Sequence, residues 1–149
     1  MRALLMAAAW LTTSAGVLWA QEIKSSTTSS VTSEMAGRKH GAMLLKRTST
    51  DPGYATSEKQ PVMVGGGPGQ GIRNTYRFLN ALQGPRGEPV HYERVGACCV
   101  FKTKNAAIGD RGLLDVYNVW YDGHQPVRLY VNWYDDGDVL VPVGFTAVQ

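Results

Sequence analysis

The fold is decided by the stretch Leu113–Tyr134, which reads LLDVYNVWYDGHQPVRLYVNWY. Apolar and aromatic residues alternate with polar ones over much of it, which is typical of strands with one buried face. We therefore predict strands over Leu113–Tyr121 and Val127–Tyr134. The intervening Asp122-Gly123-His124-Gln125 predicts a hairpin turn, because aspartate and glycine suit tight reversals between strands.

The two faces of this hairpin differ in composition. Val127, Leu129, Val131 and Trp133 fall on one face of the second strand and predict a core side. Tyrosine, arginine and asparagine, which are favoured at recognition sites, are expected on the other side. The predicted recognition residues are Tyr117, Tyr121, Arg128, Tyr130, Asn132 and Tyr134. Tyrosine also suits any half-exposed strand, so a purely structural role stays open.

One helix is predicted, over Ile72–Leu82. Its apolar residues recur at the i, i+4, i+7 spacing of one helical face, and Gly84-Pro85 ends it. The members of that face are Ile72, Tyr76, Leu79 and Leu82, with Phe78 beside them. The glycine-rich Gly65–Gly71 before the helix is predicted to be a loop, as is Lys102–Arg111.

Three further strands are predicted around the hairpin. They are Pro61–Val64, Pro89–Val95 and Val139–Val143 continued by Phe145, with Gly144 as a bend. Charges on both faces of Pro89–Val95 indicate an edge position or an irregular bend. The predicted fold class is α+β, a small antiparallel sheet of about four strands with one packed helix. We predict that residues 53–149 form this single domain.

The first residues have the pattern of a secretory signal peptide. Arg2 supplies a charged start, Ala3–Trp10 an apolar centre, and Ala20 a small residue at the exit. We expect cleavage near Ala20 and a periplasmic or extracellular protein. No later stretch approaches the ~20 apolar residues of a membrane-spanning helix. Residues 21–52 are rich in serine and threonine and predict a disordered linker.

Both cysteines of the chain lie side by side, at Cys98 and Cys99. Consecutive Cα atoms are about 3.8 Å apart, closer than usual disulfide partners, so a bridge between them needs an unusual backbone. A strained vicinal disulfide, two free thiols, an intermolecular bridge and a metal site all stay open. Burial of one cysteine as a small hydrophobic residue is the simplest form of the free-thiol case.

The remaining chemical possibilities are a nucleic-acid interface, a metal site and a catalytic cysteine. The formal net charge is only +3, and the basic residues do not form a concentrated stripe along the chain. We therefore expect no nucleic-acid partner. The spacing of His91, His124 and the cysteines matches no standard zinc pattern, and we predict no metal and no cofactor. The catalytic hypothesis is a nucleophile at Cys98 or Cys99 with His91 or His124 as its base. Arg94, next to Glu93, is a further candidate functional residue.

Several blocks of the sequence resemble a family of small exported bacterial proteins, often lipoproteins. The blocks are Arg77–Leu82, Gly84-Pro85, Gly87-Glu88, Tyr92-Glu93-Arg94, Cys98-Cys99 with Phe101, Gly112–Tyr117, Pro126-Val127, Leu129–Asn132 and Pro142–Thr146. Members frequently carry the label 2-dehydro-3-deoxyphosphooctonate aldolase. Ala97 and Val100 depart from the serine and proline usual in the family. The resemblance assigns no catalytic residue, and the absence of a lipid-attachment cysteine implies release rather than anchoring.

The sequence thus predicts an exported envelope protein that acts as a non-catalytic binding or structural module. Its partner would be an envelope protein or a small ligand. The candidate functional residues are Cys98, Cys99, His91, Arg94, Tyr117, Arg128, Tyr130 and Asn132. The alternative is a small periplasmic enzyme or thiol redox protein that uses the cysteine pair, including the aldolase activity that the family label implies.

Overall fold

The computed structural model describes residues 40–149, and the predicted signal peptide, its cleavage site and the first part of the predicted linker lie outside them. The fold is α+β, as predicted. Its elements in chain order are β1 (Val62–Met63), α1 (Gly67–Leu79), β2 (Leu82–Gln83), β3 (Val90–Lys102), β4 (Arg111–Tyr121), β5 (Val127–Asn132) and β6 (Thr146–Ala147). Within this part of the chain, no helix has the length and apolar character that crossing a membrane requires.

The main sheet has the strand order β1-β5-β4-β3. The predicted hairpin β4–β5 is confirmed as an antiparallel pair, and the predicted edge position of β3 is confirmed as well. The sheet is mixed, however, because β1 pairs in parallel with β5 through Val62 and Val131. The prediction of a wholly antiparallel sheet is therefore wrong. Strands β2 and β6 form a separate two-stranded sheet.

One face of the main sheet, here called the inner face, carries the core. Val119, Leu129 and Val131 are fully buried there together with Phe78 of α1. Burying each such side chain stabilises the fold by about 1.5–3 kcal/mol, so this layer is the main source of stability. The opposite side of the sheet is called the outer face below.

Helix α1 begins five residues earlier than predicted and includes part of the predicted glycine loop. Gly66, with a φ of 99°, caps its start and Pro68 occupies its first turn, where a missing N–H costs nothing. The buried stripe consists of Gly71, Thr75, Phe78 and Leu79. The prediction that Ile72 faces the core is wrong, since it is 58% exposed. The buried stripe is shifted by one residue because Gly71 packs directly on Trp133.

The C-terminal strand prediction is also wrong. Val141 forms a single parallel bridge with Thr48, and no strand spans Val139–Val143. Pro142 follows at once and lacks the N–H that a continuing ladder needs. The last strand is instead β6, after a turn at Gly144, whose φ is 90°.

The fold also includes residues that the sequence assigned to a linker. Leu45 is 7% exposed and belongs to the core cluster. The backbone N–H of Ser49 donates to the carbonyl of Val141 at 2.9 Å, and the N–H of Val141 donates to Arg47 at 2.9 Å. The packed chain therefore begins before the predicted boundary at residue 53.

Candidate functional site

Strand β3 is interrupted by two bulges, and the second one contains the cysteine pair. The register against β4 shifts between Arg94 and Gly96 and again between Cys98 and Val100. Each bulge adds one residue to the strand and reverses which face the following side chains occupy. Alternation along β3 is therefore broken twice, and for this reason the sequence pattern predicted a strand over only Pro89–Val95, although β3 runs to Lys102.

The two cysteines form a vicinal disulfide. Their Cα atoms are 3.7 Å apart. In a regular strand their side chains would point to opposite faces and the sulfurs could not meet. At the bulge, Cys99 adopts a φ of 59°, in the left-handed region that residues other than glycine rarely adopt. This conformation places both sulfurs within bonding distance, and no free cysteine is left in the chain.

A cavity of about 430 Å³ lies beside the disulfide. Leu114, which is 2% exposed, and Phe101 belong to its apolar lining. The segment that leads into β1 forms a second wall with Pro61 and Lys59. This volume falls within the ~300–1,000 Å³ of small-molecule sites, which are mostly apolar with a few polar groups.

Asn132 also lines the cavity, but its polar atoms hold a turn. Its side-chain carbonyl accepts hydrogen bonds from the backbone N–H groups of Tyr134, at 2.9 Å, and Asp135, at 3.1 Å. Its amide donates to the Asp135 carboxylate at 3.0 Å, as do the hydroxyl of Thr103 at 2.6 Å and the amide of Asn105 at 2.9 Å. Asn132 is therefore a positioning residue for this end of the sheet.

This network acts on the ionisation of Asp135. Burial alone would raise the pKa of its carboxyl group, but the hydrogen bonds from Thr103, Asn132 and Asn105 outweigh burial and hold the pKa below its usual value. Asp135 therefore stays charged and ties the end of β3 to the end of β5.

The outer face extends from the cavity along β4. Cys98 lies opposite Leu114, Glu93 opposite Asn118, and His91 opposite Trp120. The rings of His91 and Trp120 stack with centroids 5.8 Å apart. In the neighbouring strand β5, Arg128 lies opposite Asn118 and Tyr130 lies opposite Val116, so both residues are on the same outer face. Five of the eight predicted site residues thus share the outer face: His91, Cys98, Arg128, Tyr130 and Asn132.

Tyr117 lies on the inner face, so the predicted grouping of Tyr117 and Tyr121 with Arg128 is wrong. The register pairs Tyr117 with Leu129, and Tyr117 is 2% exposed. Burial raises the pKa of its hydroxyl far above the usual value, and the neighbouring Asp115 adds to this effect. Tyr117 is consequently a protonated core residue, and Tyr121 is buried as well.

Arg94 is also on the inner side, where it pairs with Asp115. Its guanidinium donates to the Asp115 carboxylate at 2.7 Å, and this hydrogen bond raises the pKa of Arg94. The Asp115 side chain is only 11% exposed, whereas that of Arg94 is 46% exposed. The ion pair satisfies a nearly buried carboxylate, which is a structural use of Arg94.

The geometry does not assemble a cysteine–histidine pair. His91 lies opposite Trp120 and Cys98 opposite Leu114, six positions apart on β4, which corresponds to about 20 Å at ~3.4 Å per residue. His124 lies in the hairpin turn against Tyr121, with ring centroids 4.2 Å apart. In residues 40–149, no three histidine, cysteine, aspartate or glutamate side chains are placed to hold a metal ion.

Comparison of the chain with protein-family models, with curated proteins and with solved structures finds no match. The family resemblance therefore stays a prediction. The residues that sequence reasoning missed are Leu114, Phe101, Lys59, Asn118 and Trp120. The alternation of Leu114, Val116, Asn118 and Trp120 along β4 was the available signal for the outer face.

Proposed function

We propose that this protein is an exported, non-catalytic binding module that takes a small ligand in the cavity beside the Cys98–Cys99 disulfide. Export rests on the charged start at Arg2, the apolar run after it and the small residue Ala20. Ligand binding rests on one observation: Cys99 and apolar side chains of β3 and β4 line one cavity of about 430 Å³.

The cavity suits a compact, largely apolar ligand. Disulfide sulfur is polarisable and the Phe101 ring offers an aromatic surface, so both favour close contact with planar or ring-shaped groups. The bulge and the bridge fix the backbone at Cys99, which limits the ordering entropy that binding must overcome. Glu58 and Lys59 supply one charge of each sign at the wall for a polar substituent.

A binding role is favoured over catalysis by the contents of the site. Both sulfurs are committed to the bridge, and the histidine of β3 is at the far end of the strand. Asn132, the buried amide at the cavity, already uses its atoms in the turn before Asp135. The site thus offers shape and apolar surface rather than a nucleophile with its base.

The proposal is tested by NMR titration of the purified protein with indole, an apolar planar probe. We expect chemical-shift changes concentrated at Cys99, Phe101 and Leu114. Leu114→Phe should fill the cavity and weaken these changes. Leu113→Phe is the matched control, because Leu113 is the adjacent residue of β4 and is 43% exposed on the other face.

Thermal unfolding of both variants establishes that each is folded before titration. Shifts that map away from the cavity, or shifts of equal size in Leu114→Phe and Leu113→Phe, would overturn the proposal.

The closed disulfide favours a second candidate, thiol redox chemistry. In that reaction a substrate dithiol would be oxidised to a disulfide while Cys98–Cys99 is reduced to two thiols, with two electrons and two protons transferred. Alkylation and intact mass after incubation with a reduced dithiol peptide measure it. Two alkyl groups on the protein and an oxidised peptide support the redox candidate, and an unchanged disulfide rejects it.

A further inference from the structure

Two oppositely charged residues stand side by side at the wall of the cavity beside the disulfide. Glu58 and Lys59 are consecutive in the segment that leads into β1, and both line the cavity. Consecutive Cα atoms are about 3.8 Å apart, so a carboxylate and an ammonium group start from nearly the same point of the wall. The wall therefore carries one charge of each sign and no net charge.

Both charged groups are available to a ligand. Glu58 and Lys59 are exposed, and neither side chain makes a hydrogen bond or an ion pair with any residue of the described part of the chain. Asn132, the third polar side chain of the lining, instead uses its carbonyl and its amide in the turn before Asp135. The polar contacts that the cavity lining can still make are thus those of one carboxylate and one ammonium group.

The rest of the lining has the opposite character. Leu114 and Pro61 are apolar, Phe101 is aromatic, and Cys99 contributes a polarisable disulfide sulfur. A planar apolar group packs well against such a lining. A charged group placed among these side chains would lose its water without gaining a partner, which is costly. The matching ligand therefore combines a planar apolar part with two opposite charges placed close together.

An aromatic α-amino acid has this combination. Its ammonium and carboxylate groups are attached to one carbon, so they can face the neighbouring Glu58 and Lys59 at the same time through charge-assisted hydrogen bonds. Because both residues are exposed, the charges of the ligand stay in contact with water and need not be fully desolvated. A ligand with one charge would bring it near a like charge as well as an opposite one.

We propose that the cavity binds a free aromatic α-amino acid, with its ring against Cys99 and Phe101 and its two α-groups at Glu58 and Lys59. The inference rests on the proposed function, since it names the class of ligand for the same cavity. An aromatic residue within a peptide is a poorer match, because its α-nitrogen and α-carbonyl are uncharged amide groups.

The test is NMR titration of the purified protein at neutral pH with four probes that share the indole ring. L-tryptophan has both charges, tryptamine only the ammonium group, indole-3-propionate only the carboxylate, and indole neither. L-tryptophan should bind about tenfold more tightly than indole, because two exposed ion pairs contribute about threefold each. High salt should reduce this difference, since it screens exposed charges.

Two substitutions assign the charges of the ligand to the two residues. Glu58→Gln should weaken the binding of L-tryptophan and tryptamine about threefold, and Lys59→Gln should weaken that of L-tryptophan and indole-3-propionate by the same factor. Both variants should bind indole unchanged. Lys46→Gln is the matched control, because Lys46 is an exposed lysine beside the C-terminal residues and should affect none of the probes. Thermal unfolding establishes that all three variants are folded.

Several results would overturn the proposal. One is L-tryptophan that binds no more tightly than indole, and another is equal binding of L-tryptophan to Lys59→Gln and Lys46→Gln. N-acetyl-L-tryptophanamide, an uncharged mimic of a residue within a peptide, should bind only like indole, and binding as tight as that of L-tryptophan contradicts a free amino acid. If indole still maps to the cavity in these cases, the proposed binding function stands and only the ligand class falls.

Discussion

The two faces of the main sheet are built from the same strands but differ in what they hold. On the inner face, Tyr117, Leu129 and Val131 are buried against α1. On the outer face, Asn118, Arg128 and Tyr130 alternate with them at neighbouring positions, and none of these three is fully buried. A shift of one residue in the sequence thus separates core from candidate binding surface.

This difference separates the hairpin residues that the fold requires from those that it does not require. The inner face has apolar surface, tyrosine and one compensated ion pair, which is what a core needs. The outer face has a disulfide, a histidine–tryptophan stack and a row of polar groups that the core does not require. The candidate function therefore belongs to the outer face.

The comparison is tested most severely by neighbouring substitutions in β5. Leu129→Ala should lower the free energy of unfolding by about 2–5 kcal/mol, because it leaves a cavity in the core. Arg128→Ala, the adjacent residue on the outer face, should change it by no more than about 0.5 kcal/mol. Urea denaturation measures both values. Equal losses would mean that the outer face is also part of the stabilising core.

The packing of α1 on the inner face is tested by two glycines of the helix. A Cβ atom at Gly71 would lie 2.5 Å from the Trp133 ring and 2.7 Å from its carbonyl oxygen. Gly71→Ala should therefore destabilise by about 1–3 kcal/mol despite the better helix propensity of alanine.

Gly69→Ala is the control in the same helix. Nothing lies within 4 Å of its Cβ position, so it should stabilise the protein by up to about 1 kcal/mol. Thermal and urea unfolding compare the two variants. Stabilisation by Gly71→Ala would show that α1 does not contact Trp133.

The ion pair on the inner face should contribute less than the apolar core. Asp115→Asn keeps the size of the side chain but removes the charge that Arg94 contacts at 2.7 Å. We expect a loss of about 1 kcal/mol, because solvent around the half-exposed Arg94 screens the pair. Asp110→Asn, at an exposed loop position, serves as the control and should be neutral. Urea unfolding at neutral pH measures the free energy of unfolding of both variants. Equal values for Asp115→Asn and Asp110→Asn would show that the ion pair does not stabilise the fold.

The smallest expected effect concerns pH at the cavity end of the outer face. Because the pKa of Asp135 is lowered in the folded protein, its carboxylate contributes stability above the unfolded pKa of about 3.9. That contribution is lost as the pH falls through the lower folded pKa. Asp135→Asn should therefore have a shallower loss of stability between pH 4 and pH 2 than the unchanged protein. Parallel curves would contradict the role of the network around Asp135.

The sequence predicted the class of fold because the β4–β5 alternation is strong and local. It did not predict which tyrosines are buried, since β4 has apolar residues on both faces and its pattern allows either orientation. Only the register against Leu129 decides that Tyr117 faces inward. The parallel pairing of β1 is likewise a matter of chain path, which local periodicity does not contain.

Helix α1 and strand β3 show why local patterns failed elsewhere. The first turn of α1 contains Gly67 and Gly69, whose low helix propensity is overridden by the contact between Gly71 and Trp133. Strand β3 was predicted too short because its bulges break the alternation. The disulfide was one of four open arrangements, since the sequence alone does not tell whether Cys99 adopts a left-handed backbone.

The bulges of β3 have a further consequence, which concerns self-association in concentrated solution. An edge strand of 13 residues would ordinarily be a template on which other copies could add strands and aggregate. Here the spacing of backbone donors and acceptors is interrupted at two places, and the disulfide fixes the second interruption covalently. An incoming strand cannot stay in register past either place, so the arrangement that shapes the candidate site also protects the protein from fibril-like growth.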